Sequence, residues 1–296
     1  MTLFAFIALA LAMLTVGFQV RLRFAPAPLA SVLASVVFAL LALGLAWQAG
    51  LVSLSAAAVL LLQAALALWL VLGSAPRWLT GAGWVLLVLL ALATALHWLP
   101  GTQNPLLVDA QQLTPDAIPY TLYANFDKGW AGFCLLLALW PRQQQGDLWQ
   151  RYRRGFWPVL PLTVIAALGL ALGFGLVQPA PKLPEFWLSF IACNLLLTCV
   201  AEEALFRGLL QRPLRDTLLR RGVREVTAAW VAITLVSLVF GLAHLAGGWA
   251  YACVAAVASI GYGWAYQRSG RIEVAVLTHF AVNLVHFSLL TYPMLR

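Results

Sequence analysis

Long runs of apolar residues, broken only briefly by charge, glycine or proline, dominate this chain of 296 residues. Hydrophobic residues make up 63% of it, and only 18 side chains are basic and 10 acidic. A soluble domain has about a quarter of its residues charged, whereas a helix that spans a bilayer needs about 20 mostly apolar residues. The sequence therefore predicts an integral membrane protein. It excludes a soluble enzyme, a nucleic-acid-binding domain and a disulfide scaffold as descriptions of the whole chain.

The apolar runs predict an all-α fold, a polytopic transmembrane helical bundle with about ten spans, within a range of eight to ten. The runs cover residues 2–20, 29–47, 51–72, 82–99, 126–141, 156–177, 186–206, 226–246, 249–266 and 272–291. Nothing basic precedes Arg21, so the first run does not resemble a signal peptide and is predicted to remain as a helix. The polar segment at about residues 100–127 contains four prolines and is predicted to be a loop rather than a domain.

The basic residues indicate an orientation, because Lys and Arg in short loops stay on the cytoplasmic side. If the N-terminus lies outside, 15 of the 18 basic residues fall on the inner side. These are Arg21, Arg23, Arg77, Arg142, Arg151, Arg153, Arg154, Arg207, Arg212, Arg215, Arg220, Arg221, Arg224, Arg268 and Arg271. We therefore expect a multi-pass inner (cytoplasmic) membrane protein with its N-terminus outside. The net charge of +8 reflects this topology and predicts no nucleic-acid partner, and the oligomeric state stays open.

Four cysteines, Cys134, Cys193, Cys199 and Cys253, lie inside the apolar runs without a pairing pattern. They are predicted to be small buried hydrophobic residues rather than disulfides or metal ligands.

Ionisable side chains inside membrane spans are costly and by default mark function. Six lie within or close to the runs: His97, Glu202, Glu203, His244, His279 and His286. Taken singly, His97 and His286 are better explained as hydrogen-bonding groups between helices than as reactive groups.

Two adjacent carboxylates stand in the segment Cys-Val-Ala-Glu-Glu-Ala-Leu-Phe-Arg, residues 199–207. They repel each other and are costly to desolvate, so each needs a partner. Arg207 lies four residues after Glu203, on the same helical face, and is predicted to pair with it. Glu202 points about 100° away from Glu203, which leaves it for a different partner or for chemistry.

Two further motifs follow on later apolar runs. Phe240-Gly-Leu-Ala-His244 contains small residues that let another helix or a substrate approach closely. His279 and Asn283 are four residues apart and share one face of the last run. An imidazole and a carboxamide so placed are two hydrogen-bond donors of the kind that an oxyanion needs.

The ordered set Glu-Glu-x-x-x-Arg, Phe-x-x-x-His and His-x-x-x-Asn, on three separate apolar runs, resembles the CPBP family of intramembrane endopeptidases. This family, also called Abi, is the CAAX-protease and bacteriocin-processing group. The resemblance covers about residues 195–290 and implies a catalytic core at 186–296, preceded by N-terminal transmembrane helices at 1–180.

The resemblance also implies roles for the motif residues. Glu202 is the general base that activates a water, and His244 holds and polarises that water. His279 and Asn283 stabilise the tetrahedral oxyanion. Structural support comes from the remaining motif residues, Glu203, Arg207 and Phe240. No cofactor is expected in this mechanism.

A zinc-dependent mechanism stays open as an alternative, with Glu202, His244 and His279 as ligands of a Zn²⁺ ion that lowers the pKa of a bound water. The metal-free mechanism is favoured. The spacing of His279 and Asn283 suits a donor pair, and the chain has no His-Glu-x-x-His motif.

The boundaries of the runs conflict with this site in one respect. Glu202 falls near the inner end of its run, whereas His244 falls near the outer end of the next one. Either the seventh helix extends past Arg207, or the eighth begins as an amphipathic segment and enters the membrane late. The position of His279 indicates a site in the cytoplasmic half, reached through a water-filled cavity.

The expected substrate is a membrane-associated peptide or the membrane-proximal tail of a protein, and the compact, arginine-rich chain is typical of bacteria. A proton-coupled transporter is the alternative of a different class, but it predicts inverted repeats, which the sequence does not show. A non-catalytic immunity or scaffold protein is a third possibility, which the complete motifs disfavour.

Overall fold

The computed structural model describes residues 1–17, 27–140 and 147–296 and is mainly helical. Its helices are α1 (Thr2–Gly17), α2 (Ala27–Gln48), α3 (Leu54–Leu72), α4 (Arg77–Ala95), α5 (Phe126–Leu139), α6 (Leu148–Gly155), α7 (Val159–Gly173), α8 (Trp187–Arg220), α9 (Glu225–Ala243), α10 (Trp249–Ser269) and α11 (Ile272–Leu289). Two short strands, β1 (Leu106–Gln111) and β2 (Tyr120–Tyr123), form a small sheet.

Seven helices in the described part of the chain are long and apolar enough to cross a membrane. They are Ala30–Gln48, Leu54–Leu72, Arg77–Ala95, Trp149–Gly173, Trp187–Arg220, Glu225–Ala243 and Ile272–Leu289. Each of the ten predicted runs contains a helix, so the protein is a helical, multi-span membrane protein. The finer count of eight to ten spans stays a prediction, because α1, α5 and α10 are not among the seven.

Three of the arginines used to predict the orientation, Arg21, Arg23 and Arg142, lie outside the described residues, as do the predicted ends of the first and fifth runs.

Tertiary contacts divide the chain into two compact units. The first comprises Met1–Pro105, Tyr123–Arg142 and Leu196–Ala201, and the second comprises Leu106–Leu122, Gln143–Leu195 and Glu202–Arg296. This division follows packing alone. The functional division into 1–180 and 186–296 stays a prediction.

Helix α5 is the central helix of the first unit, where it packs against α1, α3 and α4. All of its residues except Lys128 are buried. The indole Nε1 of Trp130 donates a hydrogen bond to the carbonyl oxygen of Leu60, 3.1 Å away. A short helix with a buried position does not need the length or the hydropathy of a lipid-facing span.

Helix α10 is the central helix of the second unit and packs against α6, α7, α9 and α11. Gly261 allows α7 to approach closely, because a Cβ atom at this position would lie 2.1 Å from the hydroxyl of Thr163. The helix ends at Gly270, whose left-handed backbone (φ 67°) turns the chain into α11. A helix surrounded by protein tolerates polar and small residues, so α10 is less apolar than the lipid-facing spans.

The segment at 100–127, which was predicted to be a loop rather than a domain, includes short elements of regular structure. It contains β1 and β2, and Ala117 forms a β-bridge with Leu295 near the C-terminus. Each strand has a single buried residue, Val108 and Leu122. A strand with one inward-facing residue has no alternating apolar pattern, so the sequence could not reveal it.

None of the four cysteines forms a disulfide, and Cys134, Cys193 and Cys199 are buried as predicted. Cys253 is exposed, so the expectation of burial was wrong for this residue. It lies near the beginning of α10.

Candidate functional site

The two adjacent glutamates lie near the middle of α8, a helix of 34 residues with an irregular backbone. Two π-helical segments, Cys193–Cys199 and Ala204–Gln211, flank the short α-helical stretch Val200–Glu203 that carries both carboxylates. π-helical turns within α-helices are rare, and those that do occur are often found at functional sites. The irregular segments therefore single out the same part of α8 as the motif does.

The length of α8 resolves the conflict between the levels of Glu202 and His244. The helix continues past Arg207 to Arg220. This is the first of the two alternatives given in the sequence analysis, an extension of the seventh helix. Glu202 lies 18 residues before Arg220, and His244 lies 19 residues after the start of α9 at Glu225. At ~1.5 Å per residue, and less along the π-helical segment Ala204–Gln211, Glu202 is at most about 27 Å and His244 about 29 Å from the turn that joins the two helices. Glu202 and His244 are therefore at similar levels of the second unit.

Glu203 and Arg207 form an ion pair with both side chains fully buried. Arg207 Nε lies 2.7 Å from Glu203 Oε2. The other guanidinium nitrogens of Arg207 donate to the hydroxyl of Ser259 (2.7 Å) and to the side-chain oxygen of Gln211 (3.2 Å). Gln211 in turn donates to the carbonyl oxygen of Gly263. The buried charges are thus paired and hydrogen-bonded, which is the condition for keeping an ion pair in an apolar interior.

His279 shares the carboxylate of Glu203 with Arg207. Its Nδ1 lies 2.8 Å from Glu203 Oε1, and its ring stacks on the ring of Tyr262 with centroids 4.4 Å apart and planes at 11°. The side chain is nearly buried. Glu203 and Tyr262 therefore fix both the rotation and the plane of the imidazole.

Phe240 brings the two motif histidines together. The His244 ring stacks on Phe240 with centroids 4.4 Å apart, and the His279 ring meets Phe240 edge to face at 5.8 Å. His244 Nδ1 lies 2.8 Å from the backbone oxygen of Phe240. Because a carbonyl oxygen only accepts, Nδ1 carries the proton and donates it. The other ring nitrogen of His244, Nε2, then carries a lone pair and can accept a hydrogen bond.

Glu202 differs from its neighbour in exposure. It is half-buried, whereas Glu203 has no exposed surface. The carboxylate of Glu202 interacts electrostatically with Tyr251, and the ring of Tyr251 lies 6.0 Å from that of His244. Glu202 and His244 are thus both related to Tyr251, one through its charge and the other through its ring, and of the two glutamates only Glu202 is accessible to a water or a substrate.

Asn283 and His279 each form a hydrogen bond with a different side chain of α8. The amide Nδ2 of Asn283 donates to Oδ1 of Asn194, 3.1 Å away, while Nδ1 of His279 binds Glu203. The hydrogen bonds at these atoms therefore orient the two side chains.

The alternative zinc ligands Glu202, His244 and His279 do not form a ready metal-binding set. Within the described ranges, no group of three or more His, Cys, Asp or Glu residues is arranged to hold a metal ion. We derive no step through a metal.

The two remaining intramembrane histidines have other partners. His97 Nδ1 lies 2.9 Å from the buried carboxylate of Asp127, which also accepts a hydrogen bond from Asn104. His286 Nε2 lies 3.1 Å from the carbonyl oxygen of Thr291. In these positions both residues join segments of their own unit.

The sequence analysis missed the residues that orient the motif side chains. They are Asn194, Gln211, Ser259 and Tyr262. Asn194 and Ser259 are polar residues in the middle of apolar runs, and the same cost of burial would have revealed them.

Fold and site together define a class: a multi-span helical membrane protein with a glutamate, two histidines and an asparagine around a buried ion pair. Residues 184–285, about a third of the chain, match the family model described as type II CAAX prenyl endopeptidase Rce1-like. The matched residues include all three motifs, which confirms the predicted resemblance to the CPBP family. No curated protein and no solved structure matches the chain.

Proposed function

We propose that the protein is an intramembrane endopeptidase that hydrolyses a peptide bond in a membrane-associated peptide or protein. The match to an endopeptidase family supports the class of activity. The observation that carries the assignment of the base is the contrast between two adjacent glutamates. Glu203 is buried and bound by Arg207 and His279, whereas Glu202 is half-buried beside Tyr251.

In the proposed mechanism Glu202 takes a proton from a water molecule. The water oxygen forms a bond with the carbonyl carbon, and the electron pair of the C=O bond moves to the oxygen and creates an oxyanion. The C–N bond then breaks as the oxyanion collapses, and Glu202 returns the proton to the leaving amine. Protons and electrons balance without a further reactant.

The histidines differ in what they contribute. With its proton on Nδ1, His244 presents the lone pair of Nε2, which accepts a hydrogen bond from the attacking water. His279 donates to the oxyanion from Nε2 as an imidazolium, because its Nδ1–H is already directed at Glu203. The carboxylate of Glu203, which His279 shares with Arg207, stabilises this positive charge through a charge-assisted hydrogen bond. The second N–H of Asn283 is the other oxyanion donor.

The substrate class follows from the location of the site on membrane-spanning helices. The family name specifies CAAX prenyl proteins, and cleavage of such a protein requires a prenylated substrate. For a bacterial chain we propose a membrane-associated precursor peptide or the membrane-proximal tail of a protein instead.

The test replaces Glu202 by Gln in the full-length protein and compares the peptides of the membrane and the medium with those of the wild type. We expect the cleavage products to fall by about 100-fold or more, the typical contribution of a general base, while the protein remains folded. The matched control is Glu225→Gln, because Glu225 is 70% exposed and forms a surface pair with Arg215. An active Glu202→Gln protein would refute the proposed base.

Two additional measurements separate the alternatives. Stoichiometric zinc in the purified protein, together with cleavage that chelators inhibit, would replace the metal-free mechanism by a zinc-dependent one. Movement of a solute across reconstituted vesicles without any cleavage would favour a transporter, and absence of both activities would favour a scaffold.

We also propose that the protein is a multi-pass inner-membrane protein with its N-terminus outside. In a cysteine-free variant, Gln112→Cys should react with a membrane-impermeant maleimide on intact cells. Arg221→Cys, which is also exposed, should react only after the membrane is permeabilised. The reverse pattern of labelling would invert the orientation.

A further inference from the structure

We propose that Asn194 is a positioning residue that holds the carboxamide of Asn283 in the orientation in which it donates a hydrogen bond to the oxyanion. The inference rests on the proposed function. The observation behind it is the hydrogen bond from Asn283 Nδ2 to Asn194 Oδ1, 3.1 Å long, between two half-buried side chains of the second unit.

A carboxamide needs such a partner because its two ends have opposite character. The nitrogen donates two hydrogen bonds and the oxygen only accepts. If the group rotates by half a turn, it presents Oδ1 to the oxyanion and repels the charge that it should stabilise. An acceptor at Asn194 selects one orientation, because it binds one N–H of Asn283 and leaves the oxygen on the other side. The second N–H on the same nitrogen is then the donor that the oxyanion requires.

The backbone of α8 explains how Asn194 reaches this position. Asn194 lies in the π-helical segment Cys193–Cys199, eight residues before Glu202. In a regular α-helix the two side chains would lie about 80° apart around the axis. A π segment turns less per residue, since its hydrogen bonds close wider rings, and so moves Asn194 towards the face of Glu202. One face of α8 then carries both the proposed base and the group that orients the oxyanion donor.

Two side-chain hydrogen bonds consequently join α8 to α11 in the second unit. Glu203 orients His279, and Asn194 orients Asn283. Each of the two proposed oxyanion donors on α11 therefore has its own positioning residue on α8, and both positioning residues lie within nine positions of each other along the chain.

The test uses the full-length protein and measures the rate at which peptides that depend on Glu202 are released. Asn194→Leu removes the acceptor and should lower this rate about tenfold or more, a part of the 100-fold or larger effect of losing an oxyanion donor. In the Asn283→Ala background, Asn194→Leu should have no further effect, because nothing is left to orient. Thr198→Val, in the same π segment, is the control and should leave the rate unchanged.

The possible failures are distinguishable. If Asn194→Leu keeps the full rate, Asn194 does not act as an acceptor for Asn283. An additive loss in the double variant would assign Asn194 to the structure alone. Full activity of Asn283→Ala would remove the oxyanion role and the positioning role together. An unaffected Glu202→Gln protein, or a wild type that releases no peptide that depends on Glu202, would overturn the proposed function and, with it, the inference.

Discussion

Two neighbouring glutamates acquire different properties from their surroundings. Glu203 is buried with an arginine and a histidine on its two oxygens. Glu202, one residue earlier, is half-buried beside a tyrosine. A carboxylate buried between an arginine and a histidine holds these groups in place, whereas a partly exposed one is within reach of water. The two glutamates therefore differ in their environment and not in residue type.

The buried pair leads to a prediction about stability. Arg207→Met leaves the carboxylate of Glu203 without its main partner and should lower the free energy of unfolding by about 3–5 kcal/mol. The control is Arg215→Met on the same helix, because Arg215 forms an exposed pair with Glu225 at 3.3 Å and its loss should cost about 1 kcal/mol or less. Unfolding of the purified variants in detergent measures both. Equal losses would show that burial does not determine the strength of the Glu203–Arg207 pair.

At the scale of elements, helix packing in the first unit supports the segment of α8 next to the glutamates. Gly132 of α5 faces Ala201, which directly precedes Glu202 in the chain. A Cβ atom on Gly132 would lie 3.0 Å from both the Cα and the backbone nitrogen of Ala201. Backbone atoms cannot move aside as the end of a side chain can, so the glycine is required for this close approach.

We therefore expect Gly132→Ala to destabilise the protein by about 1–3 kcal/mol, as other overpacked sites do, and to lower the rate of cleavage by displacing Glu202. Gly169→Ala in α7 is the control, since a Cβ atom there would meet nothing within 4 Å. It should be neutral or stabilising by up to about 1 kcal/mol. Unfolding and peptide release are measured on both variants. A loss of similar size in the two would mean that helix propensity and not the contact with Ala201 is responsible.

Regular secondary structure could be predicted from the sequence for most of the chain, because apolar runs of about 20 residues have one solution in a bilayer. Each predicted run contains a helix. The extension of α8 to Arg220 and the π segments could not be predicted, since the residues after Arg207 are polar and amphipathic and the π turns have no sequence signal. The two strands were missed for a similar reason, with one buried residue each.

At the scale of the whole molecule, two titrating groups in the polar segments outside the spans change the stability of the fold in opposite directions as the pH rises. Burial lowers the pKa of Lys182 from 10.5 to about 8 and raises the pKa of Tyr120 from 10.0 to about 12. Between pH 8 and 10.5 the unfolded chain binds more protons at Lys182 than the folded one, so stability rises with pH. Between pH 10 and 12 the folded chain keeps the proton of Tyr120 that the unfolded chain loses, so stability falls.

The expected result is a maximum of thermal stability near pH 10 in detergent. Lys182→Met should flatten the rise between pH 8 and 10, and Tyr120→Phe should flatten the fall above pH 10. Each variant serves as the control for the other, because the two changes act in different windows. A rise that persists unchanged in Lys182→Met would assign it to another group.

The sequence by itself determined that the chain is a membrane protein, that its fold is helical and which family it resembles. Scarce charge and long apolar runs require membrane-spanning helices, and the three motifs predicted the resemblance that residues 184–285 confirm. Only the tertiary structure decided which groups meet. It placed Glu202 and His244 at similar levels. It also showed that His279 forms a hydrogen bond with Glu203, and Asn283 with Asn194. The physical reason is that a motif specifies positions along one helix, whereas hydrogen bonds between side chains depend on where separate helices cross.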